Sequence, residues 1–260
     1  MSGRESLEQA IRDTGDRPAL AAFLTGGFPD MRSFETLLVH VSGEADVVEI
    51  GVPFTDPMAD GVTIQESSRR ALESGVTLVW ILDTVQRAEC ESPIVLMSYL
   101  NPVIAMGLQR FADRCAEVGV AGLIVPDLPL EECEPVKAAL DEVGMALVQL
   151  VTPVTPPDRL AKLCAVSQGF VYAVTVTGTT GGDVGQKQTM LDYLDRVRAA
   201  SAVPVLAGFG IREAAQVNAV APHADGVIVG SALIEVLQRG EDPIAFLRSL
   251  RASSRVEAER

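Results

Sequence analysis

Eight short apolar runs recur along the chain, and segments with helical periodicity separate them. The runs are rich in Val, Ile, Leu and Ala and are continuous rather than alternating, which is typical of strands buried on both faces of a parallel sheet. They cover residues 18–26, 46–51, 93–99, 120–127, 145–151, 169–175, 203–210 and 225–231. Amphipathic segments such as SFETLLVHVSGEA, GLQRFADRCAEVG and EECEPVKAALDEVG lie between them. Eight strands that alternate with helices predict a barrel of parallel strands surrounded by helices.

The predicted fold class is α/β: a single (β/α)8 TIM barrel with an extra N-terminal helix and a C-terminal helical tail. No change of composition marks a second domain, so we expect residues 1–260 to form one barrel domain with its core at about 16–250. A doubly wound open sheet is the alternative fold. That fold usually carries a GxGxxG fingerprint after an early strand, and the chain has none.

Composition and charge narrow the functional classes. The chain has 260 residues and a net charge of −14. This charge argues against nucleic-acid and anionic-membrane partners, because both require a basic surface. The N-terminus has no signal-peptide pattern and no uncharged apolar run reaches 18 residues, so we expect a cytoplasmic protein. The four cysteines are scattered, at Cys90, Cys115, Cys133 and Cys164. They form no CxxC motif and have no zinc-ligand spacing, so no metal site is predicted.

Carboxylates gather where the second apolar run ends. Glu49 interrupts the run DVVEIG, and Asp56 and Asp60 follow in the loop PFTDPMADG. A buried carboxylate costs roughly several kcal/mol unless it is paired or neutral. Either a buried donor such as the Tyr172 hydroxyl holds Glu49, or Glu49 serves the active site that TIM barrels place at their strand ends. Asp60 is either functional or the N-cap of the next helix. We expect Asp56 to be a surface or interface residue.

Three glycine clusters follow later strands. Gly210 lies in AGFGI after the seventh run, and Gly230 in VGSALIEVL after the eighth. TIM barrels bind phosphate at these two strand ends, where glycine lets backbone N–H groups approach and a helix N-terminus adds positive charge. The alternative is that both glycines only form tight turns. The third cluster, TVTGTTGGDVGQKQ at 175–188, predicts a mobile lid rather than a disordered surface loop, with Gly181 able to reach the same phosphate.

Other catalytic chemistries lack their residues. The two histidines, His40 and His223, stand on a predicted helix and before the eighth strand. None of the three lysines (Lys137, Lys162, Lys187) ends a strand, where a Schiff-base lysine would stand. No GxSxG motif or Cys–His pair is present. What remains is proton transfer by carboxylates on a phosphorylated substrate, without a metal or a cofactor.

The sequence resembles the tryptophan synthase alpha subunits over residues 5 to about 250. EIGVPFTDPMADGVTIQ is similar to the catalytic strand and loop of that family, and SYLNPV, VPDLP, VYAVTVTGTTG, AGFGI and VGSA follow in the family's order and spacing. The resemblance implies retro-aldol cleavage of indole-3-glycerol phosphate to indole and glyceraldehyde 3-phosphate. It also implies an assembly of two alpha and two beta subunits, with pyridoxal phosphate only in the beta subunit and no cofactor in this chain.

The resemblance also implies roles for individual residues. Glu49 would be the general acid and base, Asp60 would bind the indole N–H and stabilise positive charge on the ring, and Tyr172 would pack beside Glu49. Phosphate would bind at Gly181, Gly210, Gly230 and Ser231. The indole pocket and the lid would use Phe23, Ile64, Met97, Tyr99, Thr180 and Phe209. The beta subunit would contact Pro53, Asp56, Asn101, Pro102, Asp127 and Pro129.

The chain departs from the family pattern at three places, one of which is the unusual TGGFPD at the end of the first strand. Val62 stands where the family usually has a proline, and the lid reads TGTTGG where TGVTG is commoner. We expect the change at Val62 to loosen the loop and to alter its response to a partner, while none of the three removes a catalytic group. Two alternative functions therefore stay open: a stand-alone indole-releasing lyase, and a catalytically inactive barrel that binds phosphosugars or regulates a partner.

Overall fold

The strands form a closed barrel. The computed structural model of the protein describes residues 1–175, 184–208 and 210–251, with the backbone alone for 184–187. All eight strands are parallel and pair in sequence order, and the last pairs with the first. They are β1 Ala19–Thr25, β2 Val47–Gly51, β3 Ile94–Met97, β4 Val120–Ile124, β5 Ala146–Val151, β6 Val171–Val174, β7 Val205–Gly208 and β8 Gly226–Val229. The predicted TIM barrel is confirmed, and each strand lies inside the apolar run that predicted it.

Twelve α-helices and one short 3-10 helix, Leu130–Glu132, lie in the described part of the chain. The α-helices are α1 Gly3–Arg12, α2 Met31–Ser42, α3 Val62–Glu73, α4 Leu78–Arg87, α5 Leu100–Met106, α6 Leu108–Glu117, α7 Glu134–Glu142, α8 Pro157–Val166, α9 Val184–Ala200, α10 Ala214–Val220, α11 Ser231–Gln238 and α12 Pro243–Arg251. The extra N-terminal helix and a C-terminal helix are therefore present, and residues 252–260 lie outside the described range. Because α9 begins at Val184, the last five residues of the predicted loop 175–188 are helical, and residues 176–183 lie outside the described range.

Helix α1 closes the N-terminal end of the barrel. Its start is fixed by a capping box, in which the Ser2 hydroxyl accepts the Glu5 N–H at 3.3 Å and the Glu5 carboxylate accepts the Ser2 N–H at 2.8 Å. Leu7 and Ile11 on its inner face are buried among the inward-facing side chains of the strands. Burial of such side chains contributes about 1.5–3 kcal/mol each. The floor of the barrel is thus apolar and filled.

The opposite end of the barrel carries the polar interior residues. Along β2 the side chains alternate, so that Val47 packs in the interior cluster and Glu49 lies one layer higher. Tyr172 on β6 also packs against this cluster. A ligand that enters the barrel therefore meets these polar groups at the C-terminal ends of the strands. No helix among residues 1–175, 184–208 and 210–251 is long and apolar enough to cross a membrane.

Candidate active site

Glu49 is a buried carboxyl group inside the barrel. It pairs in register with Phe23 on β1 and Val95 on β3, and only 2% of its surface is exposed. Within the described part of the chain, neither of its carboxyl oxygens has a hydrogen-bond partner. Burial, and to a smaller extent the nearby Asp60 carboxylate, raises the pKa of Glu49 to about 8. At neutral pH Glu49 is therefore mostly a neutral acid with a proton to donate.

Asp60 is held by the loop between β2 and α3, residues 52–61. The Tyr99 hydroxyl donates to Asp60 Oδ2 at 3.2 Å and accepts the Ala59 N–H at 2.9 Å. The side-chain amide of Gln65 donates to the Asp60 carbonyl at 2.9 Å. Burial raises the pKa of Asp60, and the hydrogen bond from Tyr99 opposes this shift. The Asp60 carboxylate thus has a fixed donor, whereas Glu49 has none among the described residues.

The β2–α3 loop ends differently from the sequence-based prediction. The N-cap of α3 is Gly61, so Asp60 is not the helix cap that the sequence allowed. Val62, the residue in place of the family's proline, has 83% of its surface exposed at the first position of α3. Its side chain therefore packs little against the chain. The side-chain amide of Gln65 donates to the carbonyls of Asp60 and, at 3.4 Å, of Pro57. These two bonds restrict the end of the loop in the absence of the proline.

Tyr172 lies against the backbone of β7. A Cβ atom at Gly208 would stand 2.3 Å from Cε1 and 2.8 Å from the hydroxyl oxygen of Tyr172, so only glycine fits beneath this ring. Burial raises the pKa of Tyr172 well above its ordinary value, and the charges of Glu49 and Asp60 raise it further. The phenol therefore keeps its proton beside both carboxyl groups. The expectation that its hydroxyl binds Glu49 is wrong, because no such bond forms.

A second glycine makes room for Phe23. A Cβ atom at Gly51 would lie 2.6 Å from Cζ of Phe23, whose ring is 4% exposed. Neither Gly51 nor Gly208 is among the residues predicted from the sequence. Both stand at the last position of a strand, and each accommodates an aromatic ring from a neighbouring strand. The sequence signal for such a site is a glycine that lies two residues after the register partner of an aromatic residue on the neighbouring strand.

Three of the remaining predicted pocket residues lie at the end of β3 and at the starts of α3 and α5. Met97 packs against the interior cluster from the end of β3, and Ile64 packs at the start of α3. Tyr99 is the N-cap of α5 rather than a strand residue, and its ring stacks on Phe54 at a centroid distance of 5.0 Å. Tyr99 therefore links the β2–α3 loop to the β3 end. Thr180 and Phe209 lie outside the described residues.

The predicted phosphate residues lie at two adjacent strand ends. Strands β7 and β8 are paired, Gly210 follows β7, and Gly230 with Ser231 joins β8 to α11. Gly210 is exposed, whereas Gly230 and Ser231 are half-buried. The first N–H groups of α11 thus face the same end of the barrel as Glu49. Gly181 falls outside the described part of the chain.

Most of the predicted partner residues are on the surface. Asp56, Asn101, Asp127 and Pro129 are exposed and Pro102 is half-buried, but Pro53 is buried within the chain. The Asp127 carboxylate accepts the Leu100 N–H at 2.9 Å and so links the loops after β3 and β4. Three exposed apolar side chains also lie in loops or at a helix start at this end of the barrel, and only Val62 of them was singled out from the sequence: Met58, Val62 and Val154.

Metal coordination finds no support in the described ranges. No group of three or more His, Cys, Asp or Glu side chains there could hold a metal ion. The imidazole of His223 instead pairs with the Asp195 carboxylate at 2.7 Å, on helical and turn segments away from the strand ends. The titratable side chains described above at the mouth of the barrel are the carboxyl groups of Glu49 and Asp60 and the phenols of Tyr99 and Tyr172.

Comparison with known sequences gives one family. The family model described as tryptophan synthase alpha chain matches residues 10–259. The tryptophan synthase alpha chain of Nitratidesulfovibrio vulgaris strain DP4 is 44% identical over 248 residues, which cover 94% of this chain and 96% of the relative. That of Geobacter sulfurreducens is 45% identical over 245 residues, with 90% and 92% covered.

Solved structures agree with this match. Tryptophan synthase from M. tuberculosis in an aminoacrylate-bound form superposes with a TM-score of 0.87 and 34% identity, covering 97% of this chain and 99% of that chain. The tryptophan synthase complex of Pyrococcus furiosus, whose subunits activate each other, gives a TM-score of 0.83 and 35% identity, covering 90% and 97%. Sequence and fold similarity therefore extend over almost the same residues.

Proposed function

The chain belongs to the tryptophan synthase alpha chain family, and on this premise we propose that it cleaves indole-3-glycerol phosphate to indole and glyceraldehyde 3-phosphate. One observation carries the assignment of the catalytic acid. Glu49 is a buried carboxyl group without a hydrogen-bond partner among the described residues, and its pKa is about 8. A second carboxylate, Asp60, lies near enough to influence that pKa. Two carboxyl groups in different environments suit one acid role and one anionic role.

Proton transfer from Glu49 starts the proposed reaction. Glu49 gives its proton to C3 of the indole ring, and the positive charge that develops spreads to the ring nitrogen. Asp60 accepts the indole N–H and stabilises this charge. The Glu49 carboxylate then takes the proton of the glycerol hydroxyl next to the ring. The C–C bond breaks, its electron pair returns to the ring, and indole and the aldehyde are released. A well-placed acid or base accelerates such a step by about 10²–10⁴.

Tyr172 has a supporting role in this scheme. Its ring is fixed over Gly208, and both carboxyl groups act on its pKa, so it lies close to each of them. We assign it to packing beside Glu49, where it keeps the acid in a low-dielectric environment. Without that environment the pKa of Glu49 would fall towards its ordinary value, and the acid would ionise at neutral pH.

The phosphate group is assigned to backbone donors. Gly210, Gly230 and Ser231 stand at the ends of β7 and β8, and we propose that Gly181 joins them. The start of α11 carries about half a positive charge, which favours an anion. Arg212 is the basic residue near this site, but both of its terminal nitrogens bind Glu235, at 2.6 and 2.8 Å. Backbone amides rather than a free cation are therefore the proposed ligands.

We further propose that the chain works with a beta subunit in a complex of two alpha and two beta chains. The Pyrococcus furiosus relative forms such a complex, and four of the six proposed contact residues are exposed here. Indole would leave through this face. The proposed chemistry uses no cofactor in this chain, and pyridoxal phosphate is assigned to the beta partner. We place the enzyme in the cytoplasm and treat the chain as one barrel domain.

Indole release from indole-3-glycerol phosphate, measured with and without the cognate beta subunit, tests this function. Glu49→Gln should lower turnover by at least ~10²-fold, because it keeps the size of the side chain but removes the transferable proton. Its affinity for glycerol 3-phosphate should be unchanged, which also shows that the variant is folded. Near-normal turnover of Glu49→Gln would contradict the mechanism. Full turnover without any beta complex would favour a stand-alone lyase, and no turnover in either case an inactive barrel.

A further inference from the structure

One side chain spans the loop that carries Gly210. Gln216 is half-buried in the first turn of α10, and its amide folds back over residues 210–213. Gln216 Oε1 accepts the N–H of Arg212 at 2.7 Å and the N–H of Glu213 at 3.2 Å. Gln216 Nε2 lies 3.5 Å from the carbonyl oxygen of Gly210, a weak hydrogen bond. A single residue thus contacts three of the four residues of this loop.

These contacts restrict the backbone where restriction matters for binding. Glycine has more backbone freedom than any other residue, so a loop that begins with Gly210 loses much entropy when it becomes ordered. Contacts that order the loop before binding remove this cost from the binding step. Because the peptide is planar and trans, holding the Gly210 carbonyl towards Gln216 also points the next N–H, that of Ile211, the opposite way.

The same contacts decide which amides stay available. Gln216 occupies the N–H groups of Arg212 and Glu213, which would otherwise attract an anion themselves. The ion pair of Arg212 with Glu235 also ties the loop to α11, but half of the Arg212 side chain is exposed. Exposed ion pairs contribute little to holding a structure. The buried side chain of Ile211 anchors the middle of the loop, and Gln216 supplies the side-chain hydrogen bonds that fix the backbone on either side of it.

We propose that Gln216 is a positioning residue for the phosphate group of the substrate, acting through the backbone of residues 210–213 without touching the ligand. This inference rests on the proposed function. Phosphate is held equally in the ground state and in the transition state, because it takes no part in bond cleavage. Loss of Gln216 should therefore raise KM and leave kcat almost unchanged, which is the signature of uniform binding.

Gln216→Met tests this inference, because methionine keeps the length of the side chain but removes its hydrogen bonds. Gln109→Met is the matched control: Gln109 lies on α6 and its Nε2 donates to Asp113 of the same helix, at 3.0 Å. Calorimetry with glycerol 3-phosphate and steady-state kinetics with indole-3-glycerol phosphate are the assays. We expect the Kd and KM of Gln216→Met to rise about 10-fold, the loss of one or two hydrogen bonds, with kcat within two-fold. The control should match the wild type.

Since Gln216 also caps α10, its replacement lowers the stability of that helix, and a measurement on the wild-type chain is needed beside it. Hydrogen exchange should show the amides of Arg212 and Glu213 protected before any ligand is added. Rapid exchange of both amides would overturn the inference. So would a Gln216→Met variant that binds glycerol 3-phosphate as tightly as the wild type. A wild-type chain that binds no glycerol 3-phosphate would instead contradict the proposed function, and the inference with it.

Discussion

Gly208→Ala is predicted to disable the active site through the Tyr172 ring. The new Cβ atom would stand 2.3 Å from Cε1 of Tyr172, whereas ordinary contact begins at 3.4 Å. Either the ring or the β7 backbone must therefore move by about 1 Å. Overpacking of this kind costs about 1–3 kcal/mol of stability. A misplacement of about 1 Å in an active site costs on the order of 10²-fold in rate. We expect both effects in a chain that still folds.

The matched control is Gly43→Ala. Its Cβ atom would lie 3.6 Å from the His40 carbonyl, an ordinary contact, and Gly43 ends α2 with helical backbone angles. Urea unfolding and indole release from indole-3-glycerol phosphate are the assays. The control should change stability by less than ~0.5 kcal/mol and leave turnover as in the wild type.

A double-variant cycle identifies the cause of the Gly208→Ala loss. With Tyr172→Ala in the same chain, the clashing ring is gone, and the stability cost of Gly208→Ala should almost vanish. The coupling between the two positions should then reach about 1–3 kcal/mol. If Gly208→Ala costs the same with and without the Tyr172 ring, the steric argument is refuted.

Three further predictions concern charge. Because burial raises the pKa of Glu49 to about 8, kcat/KM should fall about tenfold per pH unit above pH 8, and a flat rate profile up to pH 9.5 would contradict this. For the same reason the wild type should lose stability relative to Glu49→Gln as pH rises from about 4.5 to 8. Asp60→Asn should lower indole release at least ~10-fold because the stabilising charge is lost, whereas Asp56→Asn should change only activation by a beta subunit. Arg212→Ala should leave the Kd of glycerol 3-phosphate within about three-fold, since that guanidinium already pairs with Glu235; a loss above ~30-fold would assign it to the phosphate site.

The strands could be predicted from sequence because a strand buried on both faces leaves a continuous apolar run. Their ends were less predictable, because the runs continue into loops that also pack on the core. The run 120–127 includes Pro126 and Asp127, yet β4 ends at Ile124, since proline offers no N–H for the ladder. Tyr99 ends the third apolar run, yet it is the N-cap of α5. Packing against the core, rather than pairing in the sheet, makes such residues apolar.

Within the site, the sequence could identify Glu49 because a carboxylate in an apolar strand is unusual on its own. Relations between strands were harder to predict. The absence of a bond between Tyr172 and Glu49 depends on where two side chains stand across the barrel. Position 208 requires glycine because of the Tyr172 ring, which lies on the neighbouring strand and 36 residues earlier in the chain. The periodicity of apolar residues along the chain predicts neither the Tyr172–Glu49 separation nor the Gly208–Tyr172 contact.

The pairing of β1 with β8 has a consequence for synthesis on the ribosome. The first strand ends at Thr25, and the partner for its second edge, β8, begins only at Gly226. At about 5–20 residues per second, the nascent chain therefore carries an unpaired edge of β1 for roughly 10–40 s. An open edge of this kind can pair with another chain. Closure of the ring is thus a late event in translation, and β1 gains its second partner only when β8 is complete.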